Sequence, residues 1–353
     1  MPDASLPAAD LDHVLALTRE LWERARGKRL FLTGGTGFFG AWLVESFAHA
    51  NETLGLHAEL VILTRDPAAA LARLPQLDGL RGVRFHRGDV RGFDRPSGAF
   101  DIVIHGAAES SQQGHVGDHG HMFETIVDGT RNTLALAREA GARTFLLVSS
   151  GAVYGNQPAS LPKLHEDFLG GPDLSRATSA YAEGKRAAEV MCAVEADRSG
   201  MSVRVARCFA FVGPHLPLDA HFAIGNFIRD ALAGAPIRIR GDGTATRSYL
   251  YMADLAAWLW TLALSPRARG SYNVGSEQET SILEAARAVA AACAPNAPIE
   301  VGGAPGGPGA LQRYVPSTAR AREELGLAQT VALPDAIKRT VRWHQTTAAV
   351  ART

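Results

Sequence analysis

Six runs of apolar and β-branched residues, at positions 29–33, 59–64, 83–86, 101–105, 144–149 and 202–208, punctuate the first two thirds of the chain. Between them apolar side chains recur at helical spacing, as Leu43, Phe47 and Ala50 do, and as Phe123, Ile126, Val127, Thr130 and Leu134 do. Strands that are apolar throughout must be buried on both faces, so this alternation predicts a parallel sheet with helices on either side. After about Pro214 the rhythm gives way to short strands, proline-bearing turns and helices around 253–263, 281–292 and 334–344. The class is therefore α/β, a doubly wound parallel sheet with a smaller C-terminal α/β lobe. Residues 11–26 read as a short amphipathic helix ahead of the first strand. The longest apolar run, 255–264, is about half of the roughly 20 residues needed to cross a bilayer and predicts a buried helix. The segment GGAPGGPG at 302–309 predicts a flexible loop.

Composition narrows what such a chain does. With 353 residues, 46% of them hydrophobic, it has enough apolar surface to bury a large core. Lys plus Arg and Asp plus Glu both total 36, so no broad field draws it to nucleic acid or to an anionic membrane. Any anion must be held locally. Cys192, Cys208 and Cys293 lack the spacing of a metal site or a disulfide framework, which fits a reducing compartment. Residues 1–10 carry no basic-then-apolar secretory pattern. The expectation is a cytoplasmic protein with no nucleic-acid or membrane partner.

Candidate chemistry begins where the first strand ends. Residues 29–33 run into Gly34-Gly35-Thr36-Gly37-Phe38-Phe39-Gly40 and then into an amphipathic helix starting near Ala41. Gly34 permits a tight turn, Gly37 lets backbone approach a pyrophosphate, and Gly40 lets the helix pack closely while its N-terminal amides face the anion. Strand, glycine loop and helix together point to a dinucleotide far more strongly than the glycines alone. Residues 28–213 are accordingly read as a Rossmann-type dinucleotide-binding domain, 1–27 as a helical extension, and 214–353 as mainly a substrate-binding lobe with segments able to return to the sheet. Asp89, with Val90 beside it, ends the third strand and either accepts from the adenine amino group or caps a helix. Ala107 and Ala108, after the fourth strand, are small enough for the dinucleotide to cross the sheet edge. The second strand ends in Thr64, followed by Arg65. A carboxylate there would favour NAD, whereas Arg65 suits the extra phosphate of NADP, so NADP is preferred over NAD unless Arg65 is simply solvated beside the turn at Asp66-Pro67.

Tyr181 and Lys185 lie one helical turn apart and share a face, while the fifth strand delivers Ser149-Ser150 to the C-terminal edge of the sheet. Bringing a tyrosine from a pKa of roughly 10 to near neutrality takes about 4 kcal/mol of phenolate stabilisation, which a nearby ammonium and a positive nicotinamide supply. Tyr181 then serves as the base, Lys185 holds ribose hydroxyls, and Ser150 bonds the substrate oxygen as hydride leaves its carbon. The motifs TGGTGFFG (33–40), GDV (88–90), HGAA (105–108), SSGAVYG (149–155) and YAEGK (181–185) follow in this order. With them the chain resembles the extended short-chain dehydrogenase/reductase family, particularly its nucleotide-sugar epimerase and dehydratase branch.

The resemblance implies a nucleotide-diphosphate sugar as substrate. GDGTATRSYLYMAD (241–254) is similar to a signature in which an arginine grips the diphosphate. Here that arginine is Arg247, whose guanidinium suits phosphate oxygens. Arg313 is a second candidate, with a surface charge as its alternative. Asp254 is expected to cap a helix, and Tyr272-Asn273-Val274-Gly275 to be structural. Departures limit the reaction. Gly151 and Ala152 stand where the 4,6-dehydratases of the family carry an acidic pair and where its UDP-glucuronate decarboxylases carry an acidic residue at the second position. Both activities are disfavoured unless Glu109, read as a substrate contact, or His115 or His215 substitutes. Ala210 stands where the family has a substrate-contacting asparagine. What remains is machinery for oxidising and re-reducing one carbinol, which implies an NAD(P)-dependent nucleotide-sugar epimerase. The alternatives are a 4,6-dehydratase or a 4-keto-sugar reductase and, from another class, a dinucleotide-sensing protein without turnover. A sensor has no reason to keep Ser150, Tyr181 and Lys185, and a reductase of other carbonyl compounds has no use for Arg247. His115, His119 and His121 read as a polar loop rather than a metal site. The helices at 123–140 and 180–196 resemble the family's dimer surface, so a homodimer is expected.

Overall fold

The computed structural model describes residues 4–108, 118–220, 222–304 and 312–350. Its strands are β1 (Arg29–Thr33), β2 (Glu59–Thr64), β3 (Val83–Arg87), β4 (Ile102–His105), β5 (Thr144–Ser150), β6 (Ser202–Cys208), β7 (Phe211–Val212), β8 (Ile237–Gly241), β9 (Thr246–Arg247), β10 (Leu250–Tyr251), β11 (Gly270–Val274), β12 (Thr280–Ser281), β13 (Ile299–Ala304) and β14 (Arg313–Tyr314). Its α-helices are α1 (Ala8–Thr18), α2 (Phe38–Thr53), α3 (Pro67–Arg73), α4 (His119–Glu139), α5 (Ala180–Ser199), α6 (Ala223–Leu232), α7 (Met252–Leu264), α8 (Ile282–Cys293), α9 (Ala319–Leu325) and α10 (Leu333–Val350).

Seven strands form one parallel sheet in the order β11-β6-β5-β4-β1-β2-β3. The chain builds outward from β1 to β3, then restarts at β4 on the other side of β1 and builds outward again. Loops leaving β1 and β4 therefore diverge and leave a crevice above their carboxyl ends, with Thr33 in register with His105. The alternation along β1 explains the two helical layers. Leu30 and Leu32 pack with Val14 of α1, Phe47 of α2 and Trp260 of α7, whereas Phe31 packs with Ile126 of α4 and Cys192 of α5. As the run at 255–264 predicts, α7 is buried along its whole length.

Several local expectations give way to tertiary contacts. The segment at 11–26 is not one helix: α1 ends at Thr18 and a 3₁₀ segment, Arg19–Ala25, follows. It turns Trp22 against Trp260, with ring centroids 4.6 Å apart. Asp10 of α1 is buried and accepts from Tyr251 Oη (2.6 Å) and Arg339 Nη1 (2.8 Å), fastening α1 to β10 and α10. Asp254 does not cap α7. It is fully buried and accepts from the backbone N–H groups of Thr330 (3.0 Å) and Val331 (3.1 Å), pinning the approach to α10. Gly302 and Gly303, expected in a flexible loop, belong to β13, which pairs with β8 through an irregular register. A Cβ at Gly302 would sit 2.5 Å from the Arg240 carbonyl oxygen, so glycine is there for close backbone approach. β11, which completes the sheet, comes from well beyond Pro214.

Candidate active site

A cavity of about 970 Å³ opens above the carboxyl ends of the strands. At its floor the two diverging loops touch. Gly34 has φ +78°, and a Cβ there would lie 2.6 Å from the Gly106 carbonyl carbon; at Gly40 it would lie 2.2 Å from the Gly34 oxygen. At Gly37 it would meet only the Gly34 oxygen, at 3.4 Å, so this backbone faces open space. Gly37 is the N-cap of α2, which begins at Phe38, three residues before the expected start at Ala41. Its N-cap makes no side-chain cap bond and its first residues line the cavity, which leaves the positive end of α2 available to an anion there. Thr36, Phe38, Phe39 and Gly40 line the same wall. The cradle fits a dinucleotide pyrophosphate, because glycine at 34 and 40 lets the loops close on each other while the backbone at Gly37 stays open to the cavity.

A buried histidine fixes the opposite loop. Thr33 Oγ accepts from Ala107 N–H (3.1 Å) and contacts His105 Nδ1 (2.7 Å), while His105 Nε2 meets Thr130 Oγ (3.1 Å). Thr130 donates its own proton to the Ile126 carbonyl, so the Nε2 position carries the imidazole proton. Burial lowers the His105 pKa to about 3, so the ring stays neutral and acts as a spacer for Gly106, Ala107 and Ala108. At the far end of this wall Asp89 caps no helix. Its carboxylate accepts from the Arg91 N–H (2.9 Å), Nε (3.0 Å) and Nη2 (3.0 Å), which holds it below the usual carboxylate range. Asp89 and Val90 nevertheless line the cavity, as do Thr64 and Arg65. Two arginines that the sequence did not single out, Arg73 and Arg91, join them there.

At the centre, β5 and α5 deliver the reactive side chains. Ser150 is the last residue of β5 and its Oγ accepts from Ala152 N–H (3.2 Å). Tyr181 and Lys185 sit in the first turns of α5, and both line the same cavity as Ser150, whose hydroxyl is near the Tyr181 phenol. Burial pushes the phenol above its ordinary pKa, an effect the serine contact opposes. Lys185 is 3% exposed and donates to the Val148 carbonyl (2.8 Å); burial brings its pKa down to about 8. Underneath, Ser149 Oγ donates to Glu189 Oε1 (2.6 Å), and Glu189 receives Arg207 Nη2 (2.7 Å) and Nε (3.1 Å). This bidentate pair clamps α5 to β5 and β6 and so holds the three reactive groups in register.

The remaining wall comes from the C-terminal half. Arg247 of β9 lines the cavity, half-buried, with Nη1 on the Thr246 carbonyl (2.7 Å) and no carboxylate partner among the described residues. Arg313 does not reach the cavity: its Nε donates to Glu279 Oε1 (2.9 Å), and the next residue, Tyr314, faces inward instead. His215 is also elsewhere, buried between Trp343 (ring centroids 4.6 Å apart) and Glu45 (3.5 Å), which removes it as a substitute acid. Glu109 and His115 lie outside the described residues. His119 lines the cavity, while His121 Nδ1 contacts Arg91 Nη1 (3.0 Å). Gly151 is crowded: a Cβ there would sit 2.7 Å from both Phe209 Cζ and Tyr314 Oη. Phe209, Tyr249 and Tyr314 are cavity residues that sequence reasoning missed, although Tyr249 lies inside the motif that carries Arg247.

Comparison with known proteins agrees with this geometry. The pattern of the NAD dependent epimerase/dehydratase family matches residues 30–275. UDP-glucuronic acid decarboxylase 1 of Arabidopsis thaliana is 30% identical over 313 residues, which cover 89% of this chain and 69% of that protein. The structure of a UDP-glucose 4-epimerase from Thermus thermophilus, in complex with NAD, is 28% identical with a TM-score of 0.73, covering 90% of this chain and 99% of the other. A dTDP-glucose 4,6-dehydratase from Streptomyces venezuelae, with NAD bound, is 26% identical with a TM-score of 0.76, covering 90% and 97%. A seven-stranded parallel sheet, a glycine cradle at its switch point and the match across most of the chain place this protein in the NAD dependent epimerase/dehydratase family, as an enzyme of the extended short-chain dehydrogenase/reductase type.

Proposed function

We propose that the protein is an epimerase of nucleotide-diphosphate sugars that removes hydride from one sugar carbinol and returns it to the opposite face. The observation that carries this reading is the make-up of this cavity: Ser150, Tyr181 and Lys185 at its centre, a guanidinium with no carboxylate partner among the described residues at one end, and a glycine crowded by Phe209 and Tyr314 at position 151. Gly34, Gly37, Gly40 and the amide end of α2 hold the dinucleotide pyrophosphate, and Lys185 holds the ribose hydroxyls. When bound, the dinucleotide supplies the hydride acceptor and a positive charge beside the phenol. Tyr181 takes the proton of the sugar hydroxyl and gives it back after the sugar turns over, with Ser150 hydrogen-bonded to the same oxygen. Arg247 grips the diphosphate through that turn. Epimerisation requires no further acid, in keeping with Gly151 and Ala152. Arg65 at the end of β2 supports NADP, whereas the NAD in the Thermus and Streptomyces structures supports NAD. Phe123 on α4 and Val190 and Val194 on α5 are exposed, which supports a homodimer formed through these helices. Residues beyond about 214 act mainly as the substrate lobe, although β11 returns to the sheet. No helix among the described residues is long and apolar enough to cross a membrane.

The test is incubation with UDP-, dTDP-, GDP- and CDP-sugars without added cofactor, followed by sugar analysis. Interconverted epimers with no net change in dinucleotide are expected, and Tyr181→Phe removes the activity. A 4-keto-6-deoxy sugar or released carbon dioxide would overturn the epimerase reading in favour of the chemistry named for the Streptomyces or Arabidopsis relative.

A further inference from the structure

The tyrosines that stand away from the cavity pass their protons to fixed partners. Tyr154 Oη donates to Asn273 Oδ1 (2.7 Å), Tyr251 Oη to Asp10 Oδ2 (2.6 Å) and Tyr272 Oη to Glu324 Oε2 (2.6 Å). Tyr249 is 5% exposed, yet its hydroxyl bonds to none of the described residues. A buried phenol without a partner is costly, so tyrosine hydroxyls in such places usually find an acceptor. Tyr249 lines the cavity, and its oxygen is not shut in as those of Thr246 and Ser248 are, so the acceptor has room to arrive from the cavity.

The place of Tyr249 in the chain fixes what stands beside it. Arg247 ends β9, which lies between β12 and β14, and Leu250 begins β10, which pairs with β7, so the backbone is held on both sides of Tyr249. Side chains alternate along this stretch: the hydroxyls of Thr246 and Ser248 are enclosed, whereas Arg247 and Tyr249 line the cavity. Two residues along an extended chain place their Cβ atoms roughly 7 Å apart on one face. Arg247 gives one N–H to the Thr246 carbonyl (2.7 Å), and its other donors meet no carboxylate among the described residues. Burial pushes the Tyr249 phenol up to about 12, against the pull of the guanidinium, so the hydroxyl keeps its proton and can donate it. A guanidinium and a protonated phenol on one wall suit an anion with several oxygens. We infer that Tyr249 is a substrate-binding residue whose hydroxyl donates to the diphosphate of the nucleotide sugar, beside Arg247. The inference rests on Arg247 holding the diphosphate in the proposed reaction. The diphosphate takes no part in hydride transfer, so this bond is made equally in substrate and transition state and acts on binding.

Tyr249→Phe removes one oxygen and keeps the ring. Calorimetric titration of the holoenzyme with UDP, dTDP, GDP and CDP shows which nucleoside diphosphate binds, and the variant should bind that one about tenfold more weakly, the size of a hydrogen bond to a charged group. For the matching nucleotide sugar kcat/KM should fall by a similar factor, nearly all of it through KM. Thermal melting of the ligand-free protein separates binding from packing. The hydroxyl has no partner there to lose, so the variant should melt no lower than the wild type, whereas a structural hydroxyl would lower the midpoint. A wild-type Kd for the nucleoside diphosphate, or a lower melting point of the free variant, overturns the inference. So does weakening seen with nucleotide sugars but not with nucleoside diphosphates, which would put the phenol against the sugar. The two readings fail separately. A wild-type protein that binds none of the four nucleoside diphosphates defeats the proposed function and this inference with it, whereas an active epimerase whose Tyr249→Phe variant keeps its affinity defeats only the role of Tyr249.

Discussion

Replacing Lys185 by methionine should make the protein more stable while abolishing its activity. The ammonium is 3% exposed, and its one hydrogen bond goes to the Val148 carbonyl at 2.8 Å. Burial lowers its pKa from 10.5 to about 8. The unfolded chain therefore binds more protons than the folded one between about pH 8 and 10.5, so this group makes stability rise with pH across that window. Below about pH 8 the folded protein carries the whole cost of the buried charge, about 3 kcal/mol. Methionine has a similar stem and opens no large cavity, but it gives up the bond to Val148, worth about 1 kcal/mol. The net expectation is a gain of about 2 kcal/mol at pH 7 that fades as the pH approaches 10. Denaturant unfolding of dinucleotide-free protein at pH 7 and pH 10 measures it. A variant less stable at pH 7, or a difference that does not change with pH, would refute the claim that the ammonium is held at a cost.

Three further outcomes are expected. Arg247→Gln should raise KM for a nucleotide sugar by at least about tenfold with little change in stability, because the guanidinium has no carboxylate partner to strand among the described residues; steady-state kinetics and melting curves check both halves. Gly40→Ala should fail to fold or lose several kcal/mol, since its Cβ meets backbone at 2.2 Å, whereas Gly37→Ala should fold and bind dinucleotide about tenfold more weakly; calorimetry separates the two, and equal behaviour would contradict the open face at Gly37. Val190→Asp with Val194→Asp should leave a folded monomer by light scattering, and a persisting dimer would place the interface elsewhere.

The sheet, the glycine cradle and the trio on β5 and α5 were legible because each rests on short-range patterning: a strand that ends in a loop, or a spacing of one helical turn. What escaped the sequence was set by long-range contact. Nothing near Tyr314 announces that β14 pairs with β9 and places a phenol beside Gly151, and nothing near Phe209 says that it closes over the same glycine. Asp254 looks like a helix cap from its neighbours, yet its carboxylate is taken by amides 76 and 77 residues away. Arg313 carries the charge for a diphosphate, but Glu279 claims it. Gly302 and Gly303 look like a loop until the residues on either side of them pair with β8. Asp89 illustrates a different limit, since a carboxylate after a strand suits a cap or a ligand equally well and only the position of Arg91 decides its partner.

The crowding at Gly151 bears on how reactions diverge within such a scaffold. An aspartate introduced at 151 would drive its Cβ into Phe209 and Tyr314 before its carboxylate could reach a sugar. One substitution is therefore a step downhill in fitness, since it breaks packing and yields no new acid. A route from this active site toward elimination with an acid at 151 runs through an accompanying change at Tyr314 or Phe209, and the order of mutations becomes as constrained as their identity. The same epistasis protects the present chemistry, because the residues that exclude the acid line the site and cannot drift freely.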